Sequence, residues 1–324
     1  MQTGEWESGF IQSNGSIKPM HEGILIIDKP QGMTSHDVVD RARRALKLRR
    51  IGHTGTLDPF ATGVLVLCLN RATRIARFLV TDEKEYLATM RMGFATDTGD
   101  LTGRPLSSPA DTSDLTRAAV DEALAQFRGR IEQIPPMYSA KKIGGVKLYE
   151  LARRGLEIER APVEVEIKKL ELCESEDHQD GMGNIFSFRV VCSSGTYIRR
   201  LAEDIGRSLG VGAHLIKLRR LRSGLFDISR AITLEKMFEL SKSGRSGEVQ
   251  TSIISISDAI ALEDLPLSEE EKKDILVGRP VNRRGDWLNG CLAKLCDSDR
   301  NLIAIAEFDA EKQIWRPRIV LGEV

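Results

Sequence analysis

The segment from Lys84 to Met92 alternates along its length, and this period of two constrains the fold of the chain more than any other sequence feature. Tyr86, Ala88, Met90 and Met92 all fall on one side of the segment. Side chains of a strand point alternately to its two faces, so the pattern is typical of an antiparallel sheet with one buried face. The chain therefore needs helices or loops to cover that face.

Strand and helix patterns recur along the rest of the chain without a regular order. Further strands are predicted at 23–28, 63–69, 163–167, 185–192 and 213–221. Helical periodicity is predicted at 35–46, with Ser35 as N-cap, and at 116–127, 196–209 and 233–241. Because strands and helices do not alternate as βαβ units, we predict a mixed α+β fold with a mainly antiparallel sheet, and a doubly wound sheet is disfavoured.

The length of 324 residues exceeds what one hydrophobic core usually serves. Residues 1–22 show no periodicity and are interpreted as a flexible N-terminal leader. Residues 23–250 are expected to form the main domain, with a flexible linker at 241–247. Residues 251–324 contain one helix pattern and several short strands, which predicts a small β-rich domain.

The overall charge is balanced, but its distribution is not. Lys plus Arg and Asp plus Glu both total 47. Six of the ten residues from Arg41 to Arg50 are basic, and a second run contains Lys217, Arg219, Arg220 and Arg222. Such runs can present a basic face to phosphates. The alternative is that both runs are ordinary solvated faces.

The cysteines and the apolar segments exclude several classes of protein. The five cysteines form no C-x-x-C pair and are odd in number, so neither a disulfide framework nor a zinc site is indicated. No segment approaches the roughly 18 apolar residues of a membrane span. We therefore expect a cytoplasmic protein that is not bound to a membrane.

A long segment at 48–62, between a predicted helix and a predicted strand, is the main candidate for a functional loop. It ends in the sequence GHTGTLDPFAT, which is followed by Gly63. Pro59 favours an extended conformation at Asp58, while Gly55 and Gly63 permit tight turns or a close approach by a partner. A carboxylate is thereby held between helix and sheet, although Asp-Pro is also a common start of an ordinary turn.

These residues closely resemble the catalytic motif of the TruB family of pseudouridine synthases. The resemblance extends from about Gly23 to Leu221 through satellite segments in family order, and matches of this length are far more specific than a short motif. The satellites are DKPQGMTS at 28–35, KEY at 84–86, PPMYSA at 135–140, KLY at 147–149, GTYIR at 195–199, GAH at 212–214 and LRRL at 218–221.

The resemblance implies a reaction in which uracil is detached from C1′, rotated and rejoined through C5. Asp58 matches the essential aspartate of the family, which must be ionised to act as nucleophile or base. Arg199 matches the arginine that pairs with this aspartate and would favour its charged form. An exposed helical pair between Arg199 and Glu203 is the alternative. Family members use no cofactor and no metal.

The resemblance also implies roles for three residues around the base. Tyr86 matches the tyrosine that stacks on the extruded nucleotide, for which an aromatic face replaces the lost base neighbours. Tyr197 and Leu218 match residues that line the uracil pocket. Without the resemblance, Tyr197 would be interpreted as a core residue of the following helix.

Four further residues are candidates for contact with RNA. His53 matches the histidine that enters the T-loop as the uridine swings out, although a lone histidine is more often incidental. Lys29, Arg219 and Arg220 are candidates for phosphate contacts, since basic side chains position RNA without reading its sequence.

The resemblance thus predicts a monomeric enzyme that isomerises uridine 55 in the T-loop of tRNA by base flipping, with no obligate protein partner. Its C-terminal domain is expected to be a PUA-like RNA-binding module. Two alternatives are a guide-RNA-dependent pseudouridylase and a catalytically silent tRNA-binding or tRNA-folding protein on the same scaffold. The sequence leaves open whether Asp58 acts on C1′, on C6 or on the C2′ proton.

Overall fold

The computed structural model describes residues 10–13, 16–19, 21–79, 83–139, 141–156, 158–174, 184–242 and 246–322. Its strands form one 11-stranded sheet, a separate five-stranded sheet and two small hairpins. The strands of the large sheet pair mainly antiparallel, with two parallel pairs. The predicted mixed α+β fold with a mainly antiparallel sheet is therefore confirmed.

The N-terminal third contributes six strands, a helix and a 3₁₀ segment at Asn70–Phe78. They are β1 (Phe10–Ser13), β2 (Ser16–Pro19), β3 (Gly23–Lys29), α1 (Ser35–Leu46), β4 (Ile51–Thr54), β5 (Thr62–Leu69) and β6 (Glu83–Met92). Strands β1 and β2 pair as an antiparallel hairpin within the predicted leader. Residues 1–9, 14–15 and 20 of that leader lie outside the described residues.

Helix α1 begins at Ser35, one residue earlier than our prediction of Ser35 as the N-cap requires. Thr34, not Ser35, is the N-cap: its hydroxyl accepts from the backbone N–H of Asp37, whose carboxylate accepts from the Thr34 N–H in return. The prediction for Ser35 was wrong because both hydroxyl residues stand at the helix start. The Ser35 side chain is instead buried against the candidate loop.

The middle of the chain supplies most of the sheet and its covering helices. The elements are α2 (Arg117–Ala125), β7 (Gly129–Gln133), β8 (Lys142–Ile143), β9 (Val146–Lys147), α3 (Leu148–Arg153), β10 (Val163–Cys173), β11 (Ile185–Ser193), α4 (Ile198–Ser208), β12 (Ala213–Ser223), β13 (Phe226–Asp227), a 3₁₀ turn (Ile228–Arg230), β14 (Ile232–Thr233), α5 (Leu234–Lys242), α6 (Ser246–Thr251) and β15 (Ile253–Ile254). Helices α5 and α6 extend into the linker predicted at 241–247, so the prediction of a flexible linker was wrong for residues 241–242 and 246–247; residues 243–245 lie outside the described residues.

The order of the large sheet is β14-β3-β5-β12-β6-β11-β10-β7, with β4 paired to β5, β13 to β12 and β15 to β3. Strand β12 lies at its centre, parallel to β5 and antiparallel to β6. In this register Arg220 is paired with Gly63 on one side and with Tyr86 on the other. The end of the candidate loop and the predicted base-stacking tyrosine are thereby fixed in one row across three strands.

Helices cover the two halves of the large sheet. Helices α2 and α4 pack on the face that carries Tyr86, Ala88, Met90 and Met92, all of which are buried as predicted. Helices α1 and α5 pack on β3 and β5. Leu87, which points to the opposite face, is 37% exposed. The alternation of β6 therefore directs one face into the core.

The C-terminal part forms the five-stranded sheet, in the order β16-β18-β19-β20-β17. Its elements are β16 (Glu263–Pro266), α7 (Glu269–Leu276), β17 (Val281–Asn282), β18 (Leu292–Cys296), β19 (Leu302–Asp309) and β20 (Ile314–Val320). It has its own core around Trp315, and Ile305 and Leu321 pack on Ile24 and Ile26 of the large sheet. The predicted boundary at 250/251 remains a prediction, since β15 still pairs with β3.

The close approach of β5 and β12 generates a stability prediction for Gly63→Ala. Gly63 has a φ of 98°, and an added Cβ would lie 2.2 Å from the Arg220 carbonyl oxygen. Gly210 also has a positive φ, 73°, but its Cβ would meet nothing within 4 Å. We expect Gly210→Ala to cost about 1–2 kcal/mol of unfolding free energy and Gly63→Ala about 3 kcal/mol or more. Equal losses in thermal unfolding would contradict this packing.

Candidate active site

A pocket of about 250 Å³ opens where the candidate loop, the centre of the large sheet and the start of α4 meet. Asp58, Tyr86, Tyr197, Arg199 and Leu218 all line it. They belong to four segments that are far apart in sequence, and all were predicted to act on or surround one nucleotide. Arg220, which was predicted to contact phosphate, lines the pocket too, so the structure brings six of the predicted site residues together.

Asp58 and Arg199 form a two-pronged ion pair at this pocket. Arg199 Nε lies 2.9 Å from Asp58 Oδ2, and Arg199 Nη2 donates to Asp58 Oδ1 over 3.2 Å. The arginine side chain is 5% exposed and the aspartate side chain 35% exposed. The guanidinium is thus buried behind the carboxylate, which faces the pocket. The alternative pairing is not present: Glu203 forms its ion pair with Arg200.

Arg199 is fixed by three further groups. Its Nη1 donates to the Thr98 carbonyl oxygen over 2.7 Å, and its Nη2 donates to the Tyr138 carbonyl oxygen over 2.7 Å. Asp100 Oδ2 lies 3.7 Å from Nη1. A planar guanidinium can satisfy several acceptors in fixed directions, which makes Arg199 a rigid support for Asp58.

Asp100 is a site residue that the sequence interpretation missed. Its carboxylate is buried and accepts hydrogen bonds from the Thr98 hydroxyl, the Thr102 hydroxyl and the Thr102 backbone N–H. This network shapes the turn that places the Thr98 carbonyl on Arg199. The signal in the sequence was a cluster of Thr, Asp and Gly residues, which also marks ordinary turns.

The pKa of Asp58 reflects opposing influences. Burial raises the pKa of the carboxyl above its ordinary value, the nearby Arg199 guanidinium lowers it and the Asp100 charge raises it. The balance leaves the pKa raised. A carboxylate that is desolvated but ionised is a stronger base and nucleophile than one in water, which suits the chemistry expected of Asp58.

Hydrogen bonds to the backbone hold the loop around Asp58 in one conformation. Ser35 Oγ accepts a hydrogen bond from the Leu57 N–H over 2.9 Å and donates one to the Leu57 carbonyl oxygen over 3.2 Å. The Gly32 N–H donates to the Pro59 carbonyl oxygen over 2.8 Å. The residues on both sides of Asp58 are therefore anchored to the start of α1.

Two of the predicted phosphate ligands lie inside the protein. Lys29 is 0% exposed, and its Nζ donates to the carbonyl oxygens of Pro30, Met33 and Pro59. Desolvation lowers the pKa of Lys29 to about 8, against the opposing attraction of Asp58. Arg220 is 1% exposed and donates to the carbonyl oxygens of Val64 and Gly55. Both side chains support the loop in this structure, and phosphate contact stays a prediction.

Arg219 is more exposed but already paired. Its Nη1 and Nη2 lie 3.0 and 2.7 Å from the two carboxylate oxygens of Asp28. Its neighbour Arg222 is paired with Glu83 and Glu85. Carboxylates of the protein pair with these two arginines, and backbone carbonyl oxygens accept hydrogen bonds from buried Arg220. The second basic run therefore does not form the open basic face that it suggested.

The first basic run is largely open, and we call residues Arg41, Lys47, Arg49 and Arg50 the basic surface of α1. All four side chains are exposed, and no carboxylate among the described residues forms an ion pair with them. Arg43, by contrast, is paired with Asp40. Strand β4 leads from Arg50 to Gly55 of the pocket, a distance of about 17 Å at 3.4 Å per residue.

The aromatic residues occupy different walls of the pocket. Tyr86 is 7% exposed, and burial raises the pKa of its hydroxyl, so the ring remains neutral. Tyr197 is the N-cap of α4 rather than a residue of its apolar stripe. Its backbone N–H donates to Gln133 Oε1 over 3.0 Å. Leu218 is nearly buried between the pocket and the sheet.

We expected a continuous loop at 48–62, but His53 lies in strand β4 within that segment. It is paired with Leu67 of β5 and is half-buried. Burial lowers the pKa of His53, with smaller contributions from Arg220 and His36. Its Nδ1 is buried and has no hydrogen-bond partner among the described residues. His53 stands outside the lining of the pocket, two residues before Gly55.

Comparison with known proteins agrees with this arrangement. The family description "TruB family pseudouridylate synthase (N terminal domain)" matches residues 43–198, and "tRNA pseudouridylate synthase B C-terminal domain" matches residues 199–265. A Francisella philomiragia protein named tRNA pseudouridine synthase B is 42% identical over 292 residues, which cover 90% of this chain and 93% of that protein. A Geobacter sulfurreducens protein of the same name is 44% identical and covers 81% and 83%.

The chain belongs to the TruB family. The resemblance deduced from its motifs is therefore confirmed. Among solved structures, a Cbf5-Nop10-Gar1 complex contains a chain that is 26% identical with a TM-score of 0.69, covering 93% of this chain and 85% of that one. A chain of the archaeal box H/ACA sRNP Nop10-Cbf5 complex is 25% identical with a TM-score of 0.67, covering 94% and 87%.

Among the residues that line the pocket, Lys84 and Ser139 were also missed by the sequence interpretation of this TruB-family chain. Each lies inside a segment that carried the family resemblance, but neither had a distinguishing chemical signal of its own. Their place in the pocket follows from the register of β6 and from the path of the chain after Pro136.

Metal-binding clusters and membrane-spanning helices are both absent from the described ranges. Within them, no group of three or more His, Cys, Asp or Glu side chains is arranged to hold a metal ion. None of the helices in these ranges is both long and apolar enough to cross a membrane.

The electrostatics of the site predict opposite pKa changes in two variants. Arg199→Met removes the cation beside Asp58, so the Asp58 pKa should rise further. Asp100→Asn removes a negative charge and leaves Arg199 to interact with Asp58 alone, so the Asp58 pKa should fall. Titration of the Asp58 carboxyl carbon by NMR measures both. Shifts in the same direction would contradict the assigned causes.

Proposed function

We propose that this protein isomerises uridine to pseudouridine at position 55 in the T-loop of tRNA. The observation that carries the proposal is the ion pair of Asp58 with buried Arg199, at a pocket whose other walls are Tyr86, Tyr197 and Leu218. A mostly apolar pocket with a few fixed polar groups suits a flat base. The relatives named tRNA pseudouridine synthase B support the same reaction on tRNA.

In the proposed reaction, the target nucleotide leaves the T-loop stack and enters the pocket. Tyr86 offers a neutral aromatic face to the extruded base, while Tyr197 and Leu218 exclude water from it. Asp58 acts on the nucleotide as the glycosidic bond from C1′ to N1 is cleaved and the bond from C1′ to C5 forms. The proton that leaves C5 balances the one taken up at N1.

Arg199 would keep Asp58 oriented and ionised during this sequence. Activity should therefore decline as the pH falls through the raised pKa of Asp58, because protonation removes the reactive carboxylate. We propose that Lys29 and Arg220 support the loop of Asp58 through carbonyl contacts. Arg219, paired with Asp28, is the remaining candidate for an RNA phosphate at the site.

His53 and the basic surface of α1 would bind the RNA around the target. Burial favours the neutral form of His53, so this ring can enter the space vacated by the uridine without the cost of burying a charge. Arg41, Lys47, Arg49 and Arg50 would meet the phosphates of the T-arm. The C-terminal five-stranded domain is proposed to be PUA-like and to add RNA contacts.

We further propose that the enzyme acts alone, as a cytoplasmic monomer, without cofactor or metal. The similarity to chains from Nop10 and Gar1 complexes raises the guide-dependent alternative. The relatives named tRNA pseudouridine synthase B are more similar in sequence, at 42% and 44% identity against 26%, and favour the stand-alone branch. The presence of Asp58, Tyr86 and Arg199 argues against a catalytically silent protein.

Conversion of an unmodified tRNA transcript tests the proposed activity. We expect the wild type to form pseudouridine at position 55 without added protein or guide RNA, and Asp58→Asn to form none, because the amide cannot act as nucleophile or base. Mass-spectrometric mapping of the transcript measures the product. Transcript binding by both proteins, with no product from either, would instead favour the silent tRNA-binding alternative.

The salt dependence of RNA binding tests the basic surface of α1. We expect the double variant Arg49→Gln/Arg50→Gln to have a shallower slope of the logarithm of the RNA association constant against the logarithm of the salt concentration. The magnitude of the slope should decrease by about 0.7–0.9 for each phosphate that the variant no longer neutralises. Arg128→Gln/Arg207→Gln is the matched control, since these arginines are paired with Asp121 and Asp204. The same slope in the Arg49/Arg50 variant and the wild type would exclude this surface as a phosphate-binding surface.

A further inference from the structure

We propose that the Ser139 hydroxyl binds the target base, by donating a hydrogen bond to a carbonyl oxygen of uracil. This inference rests on the proposed function, because it takes uracil as the occupant of the pocket. It assigns a polar recognition contact to a wall that otherwise offers Tyr86, Tyr197 and Leu218 to the base.

The Ser139 side chain is buried and unsatisfied. Ser139 is 5% exposed and lines the same pocket as Asp58. Its Oγ has no hydrogen-bond partner in the part of the chain that the structure describes. Buried hydroxyl groups nearly always have a partner, since leaving one unpaired costs free energy. Because the Oγ atom itself is buried in this structure, rotation about the Cα–Cβ bond of Ser139 must turn the hydroxyl toward the cavity, where a group that enters the pocket can supply its missing partner.

Neighbouring polar groups of the pocket are engaged within the protein. Arg199 binds Asp58 and two carbonyl oxygens, and Arg220 binds the carbonyl oxygens of Gly55 and Val64. The Thr196 hydroxyl donates to the Ser193 carbonyl oxygen over 2.8 Å. The Ser139 hydroxyl differs from these groups because it is buried in the pocket wall and uncommitted.

Hydrogen bonds fix the position of the segment that carries Ser139 relative to Asp58. The Ser139 N–H donates to the Met137 carbonyl oxygen over 3.0 Å, and Arg160 Nη1 donates to the Pro135 carbonyl oxygen over 3.1 Å. The Tyr138 carbonyl oxygen accepts from Arg199 Nη2, the atom that also binds Asp58 Oδ1. One guanidinium therefore fixes the distance between the carboxylate and the residue that precedes Ser139.

The proposed contact is compatible with both ends of the isomerisation. Rotation of uracil by half a turn about its N3 to C6 axis exchanges N1 with C5 and exchanges O2 with O4. A donor aimed at one carbonyl position meets O2 or O4 in the substrate and the other carbonyl oxygen in the product. Ser139 can thus hold the base before and after rotation, and no covalent bond to the serine is formed.

Ser139→Ala and a matched control separate binding of the base from a structural role. We expect Ser139→Ala to reduce kcat/KM by about tenfold while Tm stays unchanged or rises, since the hydroxyl has no partner in the described part of the protein. The control is Ser187→Ala: Ser187 is also buried, but its hydroxyl is bonded to the Thr89 hydroxyl over 2.9 Å. This control should lower Tm and leave kcat/KM unchanged.

Transcripts with 2-thiouridine or 4-thiouridine at the target position identify the partner atom. Sulfur is a weak acceptor, so the reduction caused by Ser139→Ala should shrink on the analogue that replaces the bonded oxygen. The inference would be overturned if Ser139→Ala kept the wild-type kcat/KM or lowered Tm as Ser187→Ala does. It would also be overturned if Ser139→Ala reduced kcat/KM equally on the uridine, 2-thiouridine and 4-thiouridine transcripts. Failure of the wild type to form pseudouridine would overturn the proposed function itself.

Discussion

The buried guanidinium of Arg199 is the interaction on which the site depends. It joins four segments that are distant in sequence: the loop of Asp58, the turn at Thr98, the segment at Tyr138 and helix α4 itself. A buried charge without partners would be strongly destabilising, so these acceptors must be assembled for the chain to fold around it. The same requirement holds Asp58 at the pocket.

Loop geometry around Asp58 comes from supports that lie beneath it. Lys29 and Arg220 have buried cationic heads that donate to backbone carbonyl oxygens, and Ser35 binds both polar groups of the Leu57 backbone. These contacts replace regular secondary structure with side-chain hydrogen bonds. A loop anchored in this way can position a reactive group on a rigid scaffold.

Runs of basic residues predicted the exposed basic surface less well than the sequence motifs predicted the pocket residues. Two basic runs looked equivalent in sequence, but Arg219, Arg220 and Arg222 are engaged by the protein, while Arg49 and Arg50 are exposed. The difference arises because the second run lies on a central strand, whose neighbours bring acids and carbonyl oxygens within reach. The first run lies at the end of a surface helix.

The sequence alone determined the fold class, the buried face of β6, the family and the identity of the Asp58 motif, because these depend on local periodicity and on contiguous residues. Tertiary structure alone decided that Thr98, Tyr138 and Asp100 hold Arg199 in place, that Ser139 lines the pocket, and that Lys29 lies inside the protein. These facts depend on which distant segments come into contact, and no local pattern encodes those contacts. The register of β5, β12 and β6 is likewise set by tertiary structure, since a slip of one residue would turn each side chain to the opposite face.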